Sequence, residues 1–213
     1  MRKGREKMTQ SPTSNEWNLS QNFIPEDTHL TNARNKSIEL GLIPIGQGAG
    51  ALLRFLASTI DASNVVEIGT GTGVSGLWLI RGMNSAGVLT SIDSDAERQR
   101  AAKEVFSTAA IASNKIRLIA GRAIEVVDKL TSNAYDLMFI NGDKLEFETL
   151  FDQSLRLLRP GGILVFHNVS SDSNAADNLA VIKVSEKIKD DSRLVSVMIP
   201  SGSGIIAASY RPH

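Results

Sequence analysis

The sequence contains no cysteine among its 213 residues, which excludes disulfides, thiolate metal sites and a cysteine nucleophile. It also has no apolar run near the roughly 18 residues that a membrane-spanning helix needs, and its N-terminus lacks the apolar region of a signal peptide. Neither charge sign dominates, since 23 Lys and Arg balance 23 Asp and Glu. Nucleic-acid and membrane partners are therefore not indicated, and we expect a soluble, cytoplasmic protein.

Residues 1–15 are polar and basic, with Met1 and Met8 as their only sizeable apolar side chains. Such a segment buries too little apolar surface to offset the entropy of ordering it, so its composition predicts a disordered tail. Met8 is a second candidate for the starting residue. Residues 16–213 are predicted to form a single domain, because 42% hydrophobic and 22% charged residues are ordinary values for a globular chain.

Two helices are predicted before the first strand, over residues 25–40 and 47–60. Pro25 suits the first turn of the earlier helix, and Gly41 can end it. The later segment has leucines and an isoleucine at helical spacing.

From residue 64 the sequence alternates between short β-branched runs and longer segments of helical spacing, which is typical of a mainly parallel sheet covered on both faces. The predicted strands are 64–68, 88–92, 115–120, 135–140, 162–167, 194–199 and 205–210, of which the last two flank a turn and form a hairpin. The predicted helices are 75–83, 95–111, 123–130, 145–158 and 175–190, the last preceded by a polar loop at 170–174. We therefore expect an α/β, Rossmann-like, doubly wound sheet of seven strands with a C-terminal antiparallel β-hairpin.

The first strand of this sheet runs directly into the glycine-rich turn 69–73 and then into a helix. Glycines let the backbone approach a bound ligand, and free N–H groups at a helix start can receive polar or anionic atoms. Ligands of open α/β sheets bind at the carboxyl ends of the strands, beside such a turn. We expect the ligand here; the alternative is a tight turn that needs small residues for packing alone.

The glycine pattern by itself admits NAD, because residues 71–76 read G-x-G-x-x-G and Asp93 follows Gly73 by 20 residues. Three features favour S-adenosylmethionine instead. The glycines begin at Gly69, directly after the strand; Glu67 suits a cationic amino group better than a pyrophosphate; and no second domain follows that would hold a hydride-transfer substrate. Asp93 would then hold the two ribose hydroxyls.

Several motifs occur together in a fixed order: Glu67-Ile-Gly-Thr-Gly-Thr-Gly-Val-Ser75, Thr90-Ser-Ile-Asp93, Tyr135-Asp-Leu-Met-Phe-Ile140, Leu158-Arg-Pro-Gly-Gly162 and the closing hairpin. Over about residues 25–210 the chain resembles the class I S-adenosylmethionine-dependent O-methyltransferases of the catechol and caffeoyl-CoA type, especially their actinobacterial branch. The resemblance implies the same cofactor, a small-molecule acceptor and a homodimer.

The resemblance also implies which residues contact the cofactor. Glu67 would meet the amino group or the loop backbone, Asp93 the ribose and Ala123 the adenine. Asp93 has an alternative role as a helix N-terminal acid, and Ser75 one as a helix cap. With two further loop glycines included, the predicted cofactor residues are Ile45, Glu67, Gly69, Thr70, Gly71, Gly73, Ser75, Asp93, Ser94 and Ala123.

The chain departs from the catechol-type pattern where those enzymes hold a divalent cation. They have an aspartate after the fourth strand and an Asp-Asn pair after the fifth, whereas this chain has Asn141, His167 and Asn168. Because Mg²⁺ is normally held through at least one carboxylate, we predict no functional Mg²⁺ site. Asp143 could contribute a carboxylate or simply begin a helix, and a histidine would suit Zn, Fe or Ni better than Mg²⁺.

Without a metal, the acceptor must lose its proton to a side chain. His167 is the predicted base. Lys144 matches a lysine near the acceptor oxygen in catechol-type enzymes, and it could act as a base or stabilise an alkoxide. Asn141 would orient the acceptor through hydrogen bonds. The alternatives are a solvated helix position for Lys144 and a hydrogen-bonded strand end for His167.

We therefore expect an O-methyltransferase that uses S-adenosylmethionine and a small hydroxylated acceptor. Two other functions stay open from the residues alone. One is a cofactor-binding protein that has lost transfer activity, and the other is an NAD(P)-linked oxidoreductase.

Overall fold

The computed structural model describes residues 13–169 and 174–212. The first twelve residues of the predicted tail and most of the predicted loop at 170–174 lie outside these ranges. None of the helices within them has both the length and the hydropathy needed to cross a bilayer.

The described residues form eight α-helices and seven strands. The helices are α1 Ser14–Gln21, α2 Thr28–Glu39, α3 Gln47–Thr59, α4 Val74–Ile80, α5 Ala96–Thr108, α6 Ala123–Val127, α7 Phe147–Leu157 and α8 Ala175–Asp190. The strands are β1 Asn64–Ile68, β2 Val88–Asp93, β3 Ile116–Ala120, β4 Tyr135–Ile140, β5 Leu158–His167, β6 Leu194–Ile199 and β7 Ile205–Tyr210. Short 3-10 turns, Ser113–Lys115 and Lys144–Glu146, precede β3 and α7.

All seven strands belong to one sheet in the order β3-β2-β1-β4-β5-β7-β6. The first five strands of this order pair in parallel, and β7 runs antiparallel to both β5 and β6. The chain reverses its direction of progress across the sheet between β1 and β4, so the carboxyl ends of these two strands border a crevice. The predicted fold class is confirmed.

Each face of the sheet carries its own apolar core, because successive strand residues point to opposite faces. Val65 packs with Leu53 and Trp78 in the core under α2 to α5. Val66 packs with Phe147 in the core under α7 and α8. Since Glu67 follows Val66, its side chain lies on the face of α2 to α5.

The N-terminal helices differ from the sequence prediction in two ways. Helix α1 was not predicted, and it begins at Ser14, inside the last residues of the predicted tail. Helix α1 has no buried residue, so its sequence shows no apolar stripe that would predict a helix. A capping box between Thr13 and Glu16 stabilises its first turn. Helix α2 begins at Thr28 rather than residue 25, because Asp27 caps it by accepting a hydrogen bond from the backbone N–H of Leu30 at 3.0 Å.

Strand β5 is longer than predicted. The segment from Leu158 to Gly162, predicted as a helix end and a stop, belongs to the strand, and its first residue Leu158 pairs with Tyr135 of β4. The register shifts between Tyr135 and Leu137, and Gly161 opposite this irregularity has a φ of +81°. A bulge therefore lets the proline and glycines remain in the strand.

Candidate functional site

The turn between β1 and α4 lies at the carboxyl end of the sheet and depends on glycine at both ends. Gly69 and Gly73 have φ of +91° and +88°, in the left-handed region. A Cβ on Gly69 would overlap the backbone oxygen of Asn141, which follows β4. The turn therefore packs its backbone directly against the end of β4 and starts α4 beside the crevice.

Two adjoining cavities occupy this crevice, with volumes of about 190 and about 460 Å³. Gly69, Asp93, Arg98 and Asn141 line both of them, so the two cavities form one elongated site. The smaller cavity is also lined by the predicted residues Ile45, Thr70, Gly71 and Ser75, and the larger one by Ser94 and Ala123.

Two predicted cofactor residues do not line these cavities. Gly73 caps α4 and packs toward the ring of Phe106. Glu67 is completely buried beneath the turn. Its burial, assisted by the charge of Asp93, raises the pKa of Glu67 to about 7, although the hydroxyls of Ser75 and Ser91 act to lower it.

A chain of buried polar side chains connects Glu67 to the turn. The Ser91 hydroxyl donates to Glu67 Oε2 at 2.5 Å and lies 2.7 Å from the Thr70 hydroxyl. The Gln99 side-chain amide donates to Thr70 Oγ1 at 2.9 Å. Glu67 Oε1 has no hydrogen-bond partner among the described residues. Ser91 and Gln99 were not predicted from the sequence; the polar residues Thr90 and Ser91 inside the buried strand β2 were the available signal.

Asp93, at the end of β2, holds the glycine turn and the start of α5 together. Its Oδ2 accepts from the Gly71 N–H at 3.0 Å, and its Oδ1 accepts from the Asp95 N–H at 3.0 Å. The helix cap of α5 is Asp95, not Asp93. Arg98 lies 3.8 Å from Asp93 Oδ1. The carboxylate of Asp93 therefore lines both cavities while each of its oxygens accepts a backbone N–H.

Helix α2 holds the other side of the turn through a contact between Ser37 on α2 and Thr72 in the turn. Neither residue was predicted from the sequence. The hydroxyls of Ser37 and Thr72 are 2.5 Å apart, and Thr72 Oγ1 donates to the backbone oxygen of Ala33 at 2.8 Å. All three residues are buried. One function of the N-terminal helices is thus to anchor the turn.

His167 lines neither cavity; it ends β5 next to Asn141 and is 6% exposed. Its Nδ1 lies 2.9 Å from Asn141 Oδ1. Because a carboxamide oxygen only accepts, Nδ1 carries the proton and Nε2 has a free lone pair. Nε2 is buried without a partner among the described residues, and it faces Gly202 in the turn between β6 and β7. Burial, and secondarily the charge of Lys144, lowers the pKa of His167 to about 4.

The remaining predicted residues of this end are placed as follows. Lys144 is 5% exposed and lies in the 3-10 turn before α7, so it is not a solvated helix residue. Asp143 Oδ1 accepts from the Leu145 N–H at 2.9 Å and starts that turn. Asn168 follows His167 with a φ of +65°.

The donor atoms at this end do not fit Mg²⁺. Asn141 and Asn168 are neutral, Asn141 Oδ1 already accepts a hydrogen bond from Nδ1 of His167, and Asp143 is used as a cap. In the part of the chain that the structure describes, no group of three or more His, Cys, Asp or Glu residues is placed to hold a metal ion.

Comparison with known proteins gives consistent matches over most of the chain. A model of the O-methyltransferase family matches residues 20–210. A protein of Mycobacterium sp. strain JLS, assigned to the O-methyltransferases with no acceptor named, is 42% identical over 193 residues, which cover 87% of this chain and 88% of that protein.

Solved structures show the same fold. A Corynebacterium glutamicum protein has a TM-score of 0.86 at 25% identity, covering 94% of this chain and 99% of its own. An O-methyltransferase of Bacillus cereus, crystallised with S-adenosylhomocysteine (SAH), has a TM-score of 0.83 at 24% identity, covering 93% of this chain and 98% of its own.

Proposed function

The chain belongs to the O-methyltransferase family, and we propose that it methylates a small hydroxylated molecule whose proton is taken by His167 without a Mg²⁺ site of the catechol type. S-adenosylmethionine is the methyl donor. The observation that carries the proposal is the buried Nε2 of His167, which the hydrogen bond to Asn141 keeps unprotonated.

The elongated crevice accommodates the cofactor in one orientation. Asp93 receives the ribose hydroxyls, and Ser94 and Ala123 line the part of the cavity for the adenine. The amino acid end lies over the glycine turn, where Glu67 below it provides the negative charge. Asn141 lines both cavities. In this orientation the sulfonium would therefore lie toward Asn141.

In this proposal the acceptor hydroxyl meets Nε2 of His167, the ring nitrogen near Gly202 of the β6–β7 turn. When bound, S-adenosylmethionine would supply the activated methyl group and retain the electron pair of the broken carbon–sulfur bond, and Nε2 of His167 would take the hydroxyl proton of the acceptor. A histidine with a pKa near 4 is a weak base. It suffices because the hydroxyl becomes strongly acidic as the oxygen–carbon bond forms. Lys144 stabilises negative charge on the oxygen.

Calorimetry with S-adenosylmethionine, SAH and NAD tests the cofactor. We expect binding of the first two and none of NAD. Binding of NAD without binding of S-adenosylmethionine or SAH would contradict methyl transfer by this chain. A panel of phenols, catechols and aliphatic alcohols, assayed by SAH release, then tests the transfer. Binding of SAH with no release from any acceptor would favour the alternative, a cofactor-binding protein without transfer activity.

Metal dependence is tested in the same assay with and without EDTA. We expect unchanged turnover, because the neutral Asn141 and Asn168 leave Mg²⁺ without its usual carboxylates. Loss of activity in EDTA that Mg²⁺ restores would overturn this part of the proposal.

A homodimer and a cytoplasmic location complete the proposal. Strand β6 is an edge of the sheet, and Val195, Val197 and Met198 on it are 67%, 54% and 59% exposed. An apolar edge strand of this kind pairs readily with a second copy. Light scattering should give twice the chain mass of 23.0 kDa, and Val197→Lys should give the monomer. Fractionation of cells that express the tagged protein tests the location.

A further inference from the structure

A further cavity, of about 700 Å³, lies outside the crevice, between α5 and the edge strand β3. Residues of α5, of the segment 111–113 and of β3 line it, and we call it the α5–β3 groove. It is larger than either cavity of the crevice. Its volume lies in the range of about 300 to 1,000 Å³ that is usual for the sites of small molecules.

Much of the groove is apolar. Ile111, Ile116 and Leu118 line it and pack against the core under α2 to α5, yet each of them is only half-buried. They keep exposed surface because β3 is the outermost strand on this side of the sheet, so no further strand continues the sheet beyond it. An apolar molecule in the groove would remove this surface from water, which favours binding.

The charge of the groove has one sign. Among the described residues, Arg100 and Lys103 line it and no acidic side chain does. The two cations stand three residues apart on α5, so they share one side of that helix. None of the ion pairs between described residues includes either of them. The carboxylate of Asp95, on which the charge of Arg100 acts, already caps α5.

Two acids of α5 lie on another side of the helix. Glu104 lines a smaller cavity between α5 and α2. Glu97 precedes Glu104 by seven residues, which is nearly two full turns, so it shares that side. Helix α5 therefore directs its cations to the groove and these acids away from it.

The inner wall of the groove is fixed by contacts with the back of the glycine turn. Gln99 lines the groove, and its Nε2 lies 3.1 Å from the backbone oxygen of Ile119 and 3.3 Å from that of Ser91, besides donating to Thr70. Phe106 is 4% exposed, and its ring would lie 3.0 Å from a Cβ on Gly73. These contacts hold the wall in place without a ligand, which lowers the cost of ordering it on binding.

We propose that the α5–β3 groove is a second ligand site, which binds a small amphipathic anion with an apolar body and a single carboxylate. The apolar body lies on Ile111, Ile116 and Leu118, and the carboxylate pairs with Arg100 and Lys103. The same two charges repel a cationic amphiphile of equal length. The site is separate from the crevice and does not depend on the methyl-transfer chemistry proposed above.

The test is calorimetric titration of the protein with decanoate in saturating SAH, which keeps the crevice filled. Decanoate should bind one site per chain with a dissociation constant below about 1 mM. Decanol has the same apolar chain without the charge and should bind at least about threefold more weakly. Decyltrimethylammonium has the opposite charge and should show no saturable binding. Added salt should weaken the binding of decanoate and not that of decanol.

The double variant Arg100→Gln/Lys103→Gln identifies the site. Both side chains are exposed, so the fold should be retained, while decanoate affinity should fall about tenfold and decanol affinity should stay within about twofold. Lys129→Gln/Lys189→Gln removes two exposed charges elsewhere and is the matched control, with no change expected. Absence of saturable decanoate binding, equal binding of the three amphiphiles, or equal decanoate affinity in the two double variants would each overturn the inference.

Discussion

His167 Nδ1 lies 2.9 Å from Asn141 Oδ1, and this single hydrogen bond joins the ends of β5 and β4 across 26 residues of sequence. It determines which ring nitrogen carries the proton and leaves Nε2 as the buried atom able to receive one. At the end of β4 the chain thus has a neutral residue, Asn141, that holds His167 in one tautomer.

His167→Gln should lower turnover by about 100-fold or more, because it removes the proposed general base while keeping a polar side chain of similar size. SAH affinity should stay within about twofold, since His167 belongs to the acceptor end of the site. Steady-state kinetics and calorimetry measure the two effects. His29→Gln on α2 is the control and should leave both unchanged. Full turnover in His167→Gln would contradict the base assignment.

The acid stability of the protein should contain a contribution from His167. Its native pKa of about 4 lies below the ordinary value of 6.5, so the unfolded state binds more protons between these values. Stability from this group is present above pH 6.5 and is lost as pH falls toward 4, by about 3 kcal/mol in total. His167→Gln should flatten this acid slope in urea unfolding, and an unaltered slope would contradict the buried neutral state.

Glu67 should act in the opposite direction. Its native pKa of about 7 lies above the ordinary 4.5, so the folded state binds more protons between them and stability is lost as pH rises through this range. Relative to wild type, Glu67→Gln should gain about 2 to 3 kcal/mol when urea unfolding is moved from about pH 5 to about pH 8. Glu186→Gln, at an exposed position of α8, should gain nothing. No gain in Glu67→Gln would mean that Glu67 is ionised below pH 5.

Asp93→Asn should weaken SAH binding by about tenfold or more, because a carboxylate that receives ribose hydroxyls loses its charge. The effect combines lost ligand contacts with a weaker hold on the Gly71 N–H. Asp190→Asn, at the exposed end of α8, is the matched control. Equal affinity of Asp93→Asn and wild type in calorimetry would remove Asp93 from the cofactor site.

Two loop glycines should respond differently to alanine. Gly69→Ala adds strain at a φ of +91° and an overlap with the Asn141 backbone, so it should destabilise the fold by about 3 kcal/mol or more. Gly71→Ala meets no atom within 4 Å at a φ of +51°, so it should cost only about 1 kcal/mol. Urea unfolding compares them. Equal losses would show that the contact with β4 does not govern this turn.

The fold was predictable because its signals are local. Alternating apolar runs and helical spacing predicted all seven strands within a few residues, except that β5 begins at Leu158. Helix α1 was not predicted, because it has no buried residue and its start is defined by a capping box rather than by an apolar stripe. The residues that line the cavities could be predicted for the same reason. They follow the ends of strands, and the fold class determines where those ends lie.

The sheet, the glycine turn and the family's cofactor could be predicted from the sequence alone. Only the tertiary structure joined Glu67 to Ser91 and Thr70 to Gln99, contacts that span 24 and 29 residues of sequence. The same holds for the bond between His167 and Asn141. Strand register and the backbone carbonyls around Gln99 decide such contacts, and these depend on how separate elements pack rather than on any local pattern.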